Sequence, residues 1–175
     1  MQEVLLNLFI KTGFKKEKAQ LLAKVFSEST LMGVNSHGID RVPLFIENVK
    51  KGVIDLDAEA EKTETFGNIE RWDGKLGPGI INATKCTERA IELAKTHGMG
   101  LVALRNTNHW LRGGTYGYQA AEAGCISIFF TNTQPNMPPW GGKYSRIGNN
   151  PFVISIPRKE GHILMDMALS QFSFG

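Results

Sequence analysis

Apolar residues recur at helical spacing through the N-terminal part of the chain. Leu5, Leu8 and Phe9 form one stripe that Gly13 stops, and Ala19, Leu22, Ala23 and Phe26 form a second that Gly33 stops; a left-handed glycine is a common way to end a helix. Asp40 is placed to cap a third, short helix with Pro43 in its first turn, Phe45, Ile46 and Val49 on its apolar face, and Gly52 beyond its end. Three short amphipathic helices cannot bury all their apolar faces on one another. The segment 1–60 is therefore expected as an N-terminal helical segment packed on something larger, which residues 61–175 supply.

The period changes after Thr63. Thr63 to Phe66 and Ile69 to Trp72 predict short strands around the turn Gly67-Asn68. A glycine-rich turn, Gly74 to Gly79, leads to a helix over about Asn82 to His97, closed by Gly98. A strand from Met99 to Leu104, a polar turn, a helix from about Thr115 to Ala123 and a strand from Cys125 to Thr131 follow, which predicts a right-handed βαβ unit. The loop from Asn132 to Lys143 is stiffened by Pro135, Pro138 and Pro139, and reads as a shaped binding wall. Strands over Phe152 to Pro157 and Ile163 to Met167 complete the pattern. The fold class is thus α/β, a mixed sheet with flanking helices. About two helices are available for the sheet, fewer than full cover of both faces needs, so if the 175 residues are the whole polypeptide, exposed apolar surface, oligomerisation or marginal stability is expected.

Composition narrows the class without naming a function. The 175 residues are 42% apolar and 21% charged, with a net charge of +3 spread along the chain. Lys15, Lys16 and Lys18 read as a solvated helix face, with a nucleic-acid patch as the alternative that is set aside. No apolar run is long enough to span a bilayer, so no membrane partner is expected. Cys86 and Cys125 lack CxxC or zinc spacing and read as reduced core thiols of a cytoplasmic protein.

The densest chemistry lies in Asn106-Thr107-Asn108-His109-Trp110-Leu111-Arg112-Gly113-Gly114, between a strand and a helix. Open α/β sheets keep their ligand sites at such turns, and glycines opening a helix leave free N–H groups for an anion. Ser36-His37-Gly38 with Arg41 forms a second cluster: an imidazole able to exchange a proton near neutrality and a guanidinium able to clamp a carboxylate. For His37 the alternative is a surface histidine beside a helix start, and for His109 a packed ring against Trp110; both stay open. Gly98-Met99-Gly100-Leu101-Val102-Ala103 fits a G-x-G-x-x-A fingerprint but follows a helix and opens a strand, so Gly98 is read as a helix cap and Gly100 as a close-packing residue. No metal site is expected: His37 and His109 have no carboxylate or thiolate at ligand spacing, and Asp166 stands alone in an apolar strand.

Taken in order, Ser36-His37-Gly38-x-x-Arg41, Asn106-x-Asn108-His109-Trp110-x-Arg112-Gly113-Gly114, Pro138-Pro139-Trp140-Gly141, Arg146-Ile147-Gly148-x-Asn150-Pro151 and Met165-Asp166-Met167 resemble the type-2 malate/L-lactate dehydrogenase family of NAD(P)-dependent 2-oxoacid reductases. Trp110 and the Arg-Gly-Gly after it are most similar to the 2,3-diketo-L-gulonate reductase branch, also called 3-dehydro-L-gulonate 2-dehydrogenase. The resemblance implies a non-Rossmann nicotinamide enzyme, a cytoplasmic homodimer that reduces the 2-oxo group of a small sugar-derived 2-oxoacid with NADH, or with NADPH. It assigns His37 as the acid/base residue. Arg41 becomes the carboxylate binder, His109 and Asn108 further substrate-binding residues, and His162, Ile163, Leu164, Met165, Asp166, Met167 and Ala168 the cofactor segment. Family members are considerably longer, so the chain is expected to be truncated relative to them. Two alternatives stay open: a malate/L-lactate-type 2-hydroxyacid dehydrogenase, and a non-catalytic module that binds an anion through Arg41, His109 and Arg112.

Overall fold

The computed structural model describes residues 1–170; positions 171–175 of the expected second segment lie outside the described residues. The chain falls into two compact units, Met1–Arg112 and the part from Gly113 on. The helices of segment 1–60 and the first three strands share the first unit.

In the first unit, helices α1 (Gln2–Thr12), α2 (Lys16–Leu31) and α3 (Val42–Lys50) form where the apolar stripes predict. Gly13 takes the left-handed conformation at φ 112°, and its N–H closes α1 on the carbonyls of Phe9 and Ile10. The three helices meet in an aromatic cluster: Phe9, Phe14, Phe26 and Phe45 pack with ring centroids 5.5 to 6.2 Å apart. Ile54, beyond the end of α3, and Ile80 and Leu111, from outside the helical segment, complete this core, which is how the apolar faces left over by three short helices are covered.

Two expectations for this segment are corrected. Asp40 does not cap α3; it lies inside a 3₁₀ turn, Ile39–Arg41, and Arg41 holds the N-cap position without a side-chain cap bond. Pro43 in the first turn, with φ already helical, starts the helix instead. Lys18 is not part of a solvated face. Its ammonium donates to the carbonyls of Leu56, Asp57 and Ala58, so the side chain turns inward to close the end of a loop. Lys15 and Lys16 remain exposed.

The first sheet has the order β1 (Glu61–Phe66), β2 (Ile69–Asp73), β3 (Leu101–Arg105). β1 and β2 form an antiparallel hairpin, and β2 pairs β3 in parallel, with α4 (Gly79–His97) as the crossover. Gly98 ends α4 in the left-handed region at φ 81°. A Cβ on Gly100 would meet the Ala90 carbonyl and the Leu93 side chain, so both glycines serve the helix-to-strand corner rather than a phosphate. The inner face of this sheet holds a charge. Glu70 is 1% exposed and accepts from the Arg89 guanidinium, the Trp72 indole N–H and the Lys62 ammonium. The Arg89 hydrogen bonds hold its carboxyl well below the usual 4.5, at about 2, against the cost of burial. Four donor atoms replace the water it has lost.

In the second unit, α5 (Gly114–Glu122) lies on an antiparallel sheet of order β4 (Ser127–Phe130), β5 (Pro151–Ile156), β6 (Ile163–Ala168). The strands fall where predicted, but the expected βαβ unit does not form there: β3 and β4 belong to different sheets, and the parallel unit is β2-α4-β3. Period places a strand and does not say which edge it joins. Gly117 sits over Val153, Ser155 and Leu164, so those residues form the helix-facing side. On the other side register sets Ile128 beside Ile154, Phe130 beside Phe152, Ile154 beside Met165 and Phe152 beside Met167. Phe130 is 74% and Ile128 59% exposed. Among the described residues no helix is long and apolar enough to cross a membrane.

Candidate functional site

The site in the first unit is built by three turns. The first carries Ser36-His37-Gly38 as a 3₁₀ turn, Asn35–His37, directly after α2. A Cβ on Gly38 would run into Thr30, whose hydroxyl accepts from the Ile39 N–H at 2.9 Å and donates to the Phe26 carbonyl. Only glycine lets the turn lie flat on the end of α2, which fixes the direction in which His37 and Arg41 leave the backbone. Ser36 Oγ lies 3.0 Å from His37 Nδ1, which ties the ring to its own turn.

The second and third turns leave the same ends of the parallel strands β2 and β3. They are stitched together by amides. Asn82, fully buried in the first turn of α4, donates to the Gly74 carbonyl at 3.0 Å and to Thr107 Oγ1 at 2.9 Å. The Asn108 amide donates to the carbonyls of Val53 and Leu76, at 3.0 and 2.6 Å. Asn106 donates to Asp73, and its carbonyl accepts from the Leu76 N–H. A Cβ on Gly79 would strike the carbonyl oxygens of Asn108 and His109. Gly79→Ala should therefore displace the His109 loop and destabilise the unit by about 1–3 kcal/mol. An unchanged denaturation midpoint together with unchanged His109 ring resonances would refute that.

These constraints bring His109 to His37, with ring centroids 5.7 Å apart and planes at 33°. The Leu111 N–H donates to His109 Nδ1 at 2.9 Å. Loss of hydration, then the charges of His37 and Arg41, push the His109 pKa down to about 4. The residue still presents surface to solvent, yet the Leu111 N–H acts in the same downward direction, because only neutral imidazole accepts it. Arg41 Nε is buried and, among the described residues, has no hydrogen-bond partner. A buried guanidinium N–H left unpaired is costly and marks a place for an acceptor that the described residues do not provide.

Of the expected site residues, then, His37, Arg41 and His109 come together. Asn108 is adjacent in sequence, but its amide is committed to backbone carbonyls, so it holds the loop in place. Arg112 donates to Met32 Sδ at 2.7 Å. Sequence reasoning missed Asn82 and Thr30. A buried asparagine at the start of a helix was the available signal, and the helix begins earlier than expected, at Gly79.

The segment expected to hold a cofactor lies in the second unit. Ile163, Met165 and Met167 alternate along β6 and are 47%, 37% and 44% exposed, an apolar stripe suited to a flat ring. Leu164 faces α5, and Ala168 ends the strand. His162 Nδ1 accepts from the Arg158 N–H in the β5–β6 turn. Asp166 Oδ2 accepts from the Gly114 N–H at 2.8 Å. This corrects the expectation of free N–H groups at Gly113-Gly114: the anion at the start of α5 is the chain's own carboxylate, favourably placed against the helix dipole. Among the described residues no group of three or more His, Cys, Asp or Glu is arranged to hold a metal ion, and Cys86 and Cys125 are both free thiols.

Comparison with known proteins bears on the same residues. The profile of the malate/L-lactate dehydrogenase family matches residues 1–175. The 2,3-diketo-L-gulonate reductase of Escherichia coli O17:K52:H18 is 49% identical over 169 residues, covering 97% of this chain and 51% of that protein. The protein of the same name from Escherichia fergusonii is 48% identical over the same span. Malate dehydrogenase from Pyrococcus horikoshii OT3 superposes with a TM-score of 0.95 at 31% identity, covering 98% of this chain and 49% of that one. Sulfolactate dehydrogenase from Methanocaldococcus jannaschii superposes at 0.93 with 34% identity, over 98% and 50%. The chain thus spans about half the length of the relatives it matches, and the motifs around His37, His109 and Asp166 fall within the matched span. With the family profile running from the first residue to the last, the chain belongs to the malate/L-lactate dehydrogenase family.

Proposed function

We propose that this chain forms part of a nicotinamide-dependent reductase that converts the 2-oxo group of a sugar-derived 2-oxoacid, such as 2,3-diketo-L-gulonate, to a hydroxyl. The observation that carries this reading is the grouping of His37 and His109, rings 5.7 Å apart, with Arg41, whose Nε is buried and has no partner among the described residues. Reducing a 2-oxoacid requires a fixed cation for the carboxylate and one proton for the carbonyl oxygen. Arg41 takes the carboxylate, and His37 delivers the proton. His109 lines the same place, and Asn108 positions it. The relatives named 2,3-diketo-L-gulonate reductase support the substrate class.

The apolar stripe of β6 and its flanks, His162 to Ala168, would hold the nicotinamide cofactor, NADH in preference to NADPH. When bound, the reduced nicotinamide supplies the hydride. Asp166, tied to Gly114, keeps the strand and α5 in register there. The enzyme is proposed to act as a cytoplasmic homodimer.

The test is oxidation of NADH, and separately of NADPH, followed with 2,3-diketo-L-gulonate, oxaloacetate and pyruvate as competing substrates. It uses the shortest chain containing this segment that turns over. A higher kcat/KM for the diketo acid supports the proposal; preference for oxaloacetate or pyruvate moves the substrate to the smaller acids. Binding of a 2-oxoacid with no change in nicotinamide fluorescence would favour the anion-binding module and overturn the reductase. Arg41→Lys keeps the charge but loses the planar two-point grip. It should raise KM for the acid about ten- to a hundred-fold, the loss of one charge-assisted hydrogen bond, with nicotinamide affinity unchanged. If KM and kcat both stay put, the clamp is not Arg41.

A further inference from the structure

We propose that the peptide N–H of Leu111 locks His109 as the neutral tautomer with its proton on Nε2, making His109 a permanent hydrogen-bond donor to a second substrate oxygen while His37 alone exchanges the proton. The substrate clause rests on the reductase reading above; the lock rests on geometry. An amide N–H can only donate, and it reaches His109 Nδ1 at 2.9 Å. That nitrogen must therefore offer a lone pair, and the ring's single proton sits on Nε2.

The backbone is bent to make this contact. Leu111 has φ 65°, in the left-handed region that side chains other than glycine, asparagine and aspartate seldom adopt. The strained residue is held by its own side chain, which is 3% exposed and packed into the aromatic and aliphatic core of the helical segment. A left-handed leucine anchored in a core, with its N–H aimed at a histidine, is strain retained where the surrounding structure over-determines it. Leu111 is accordingly a positioning residue. Like-charged neighbours reinforce the lock: His37 and Arg41 act on the same ring and oppose a second proton.

The consequence is a division of labour between two similar side chains. His37, with Ser36 on its Nδ1, carries the proton exchange under the reductase reading. His109 keeps one donor at all working pH values. Rings 5.7 Å apart can address oxygens on neighbouring carbons, so His109 selects 2-oxoacids that carry an oxygen on C3, the neighbour of the reacting carbonyl away from the carboxylate. A site with a dedicated donor discriminates strongly against analogues that lack the acceptor.

Long-range nitrogen–proton NMR of the chain with 15N-labelled histidine reads the tautomer directly, without substrate. The expected result is a protonated Nε2 and an unprotonated Nδ1 for His109, unchanged between about pH 5.5 and about pH 8, the range in which an ordinary histidine titrates. An averaged tautomer, a proton on Nδ1, or ionisation near the usual value overturns the lock. In the active enzyme, His109→Gln offers an amide donor near the Nε2 position and should keep kcat/KM for the diketo acid within about ten-fold. His109→Asn offers it near Nδ1 and should lose about a hundred-fold or more, relative to pyruvate as control. Equal losses in the two variants overturn the donor role. Since the tautomer is measured without turnover, failure of the lock is distinguishable from failure of the reductase reading.

Discussion

Replacing His37 by alanine is expected to lower kcat by about 10²–10⁴-fold, the usual contribution of a positioned general acid, while leaving nicotinamide affinity unchanged. The reasoning is local. His37 is set by a turn that Gly38 lays against Thr30, and Ser36 contacts its Nδ1, so the direction of the ring is fixed. Removing the ring removes the proton source but not Arg41, so the acid should still bind and KM should move little. A loss in kcat and kcat/KM together, at constant KM, is the signature of an interaction made only in the transition state. Steady-state rates with 2,3-diketo-L-gulonate, alongside fluorescence titration with NADH, measure both halves of the claim. Near-normal turnover would remove His37 from the chemistry.

Glu70→Gln should cost about 2–3 kcal/mol of stability, less than the full penalty for breaking a buried ion pair, because Arg89 is one-third exposed and keeps Glu92 at 2.8 Å. The same residue sets an acid limit. Its carboxyl titrates near 2 in the folded protein against an ordinary 4.5. A lowered folded-state pKa adds stability that is fully present above the unfolded value and is lost as pH falls from about 4.5 towards about 2. Urea midpoints measured across that window should fall with acid in the native chain and fall less in Glu70→Gln, where no proton is taken up at this position. Parallel acid limbs in the two proteins would place the acid sensitivity elsewhere.

Much of the fold could be read from the chain because local rules govern it. Gly13 and Gly98 end helices where a left-handed residue is needed, and strand positions follow the change of period after Thr63. What could not be read depends on contacts distant in sequence. Hydropathy would turn Ile69 inward and Glu70 outward; the structure does the reverse, because Arg89 and Trp72 wait on the inner face. The pairing of β3 with β2 instead of β4 is likewise set by partners far along the chain. At the site, residue types pointed to His37, Arg41 and His109, whereas the commitment of Asn108 to backbone carbonyls and the role of Leu111 are decided by backbone conformation, which single residues do not announce.

The parallel pairing of β2 with β3 makes the His109 loop inseparable from the stability of its unit. The amides of Leu76 and Asn108 donate to the carbonyls of Asn106 and Gly77, so each bridges the two turns and neither can open while the other turn stays closed. Such amides are expected to exchange with solvent water only through cooperative opening of the whole β2-α4-β3 unit, and the Leu111 amide with them. The loop would then have no low-energy fraying mode of its own. Under the proposed function, the acid would meet a cradle that is already formed.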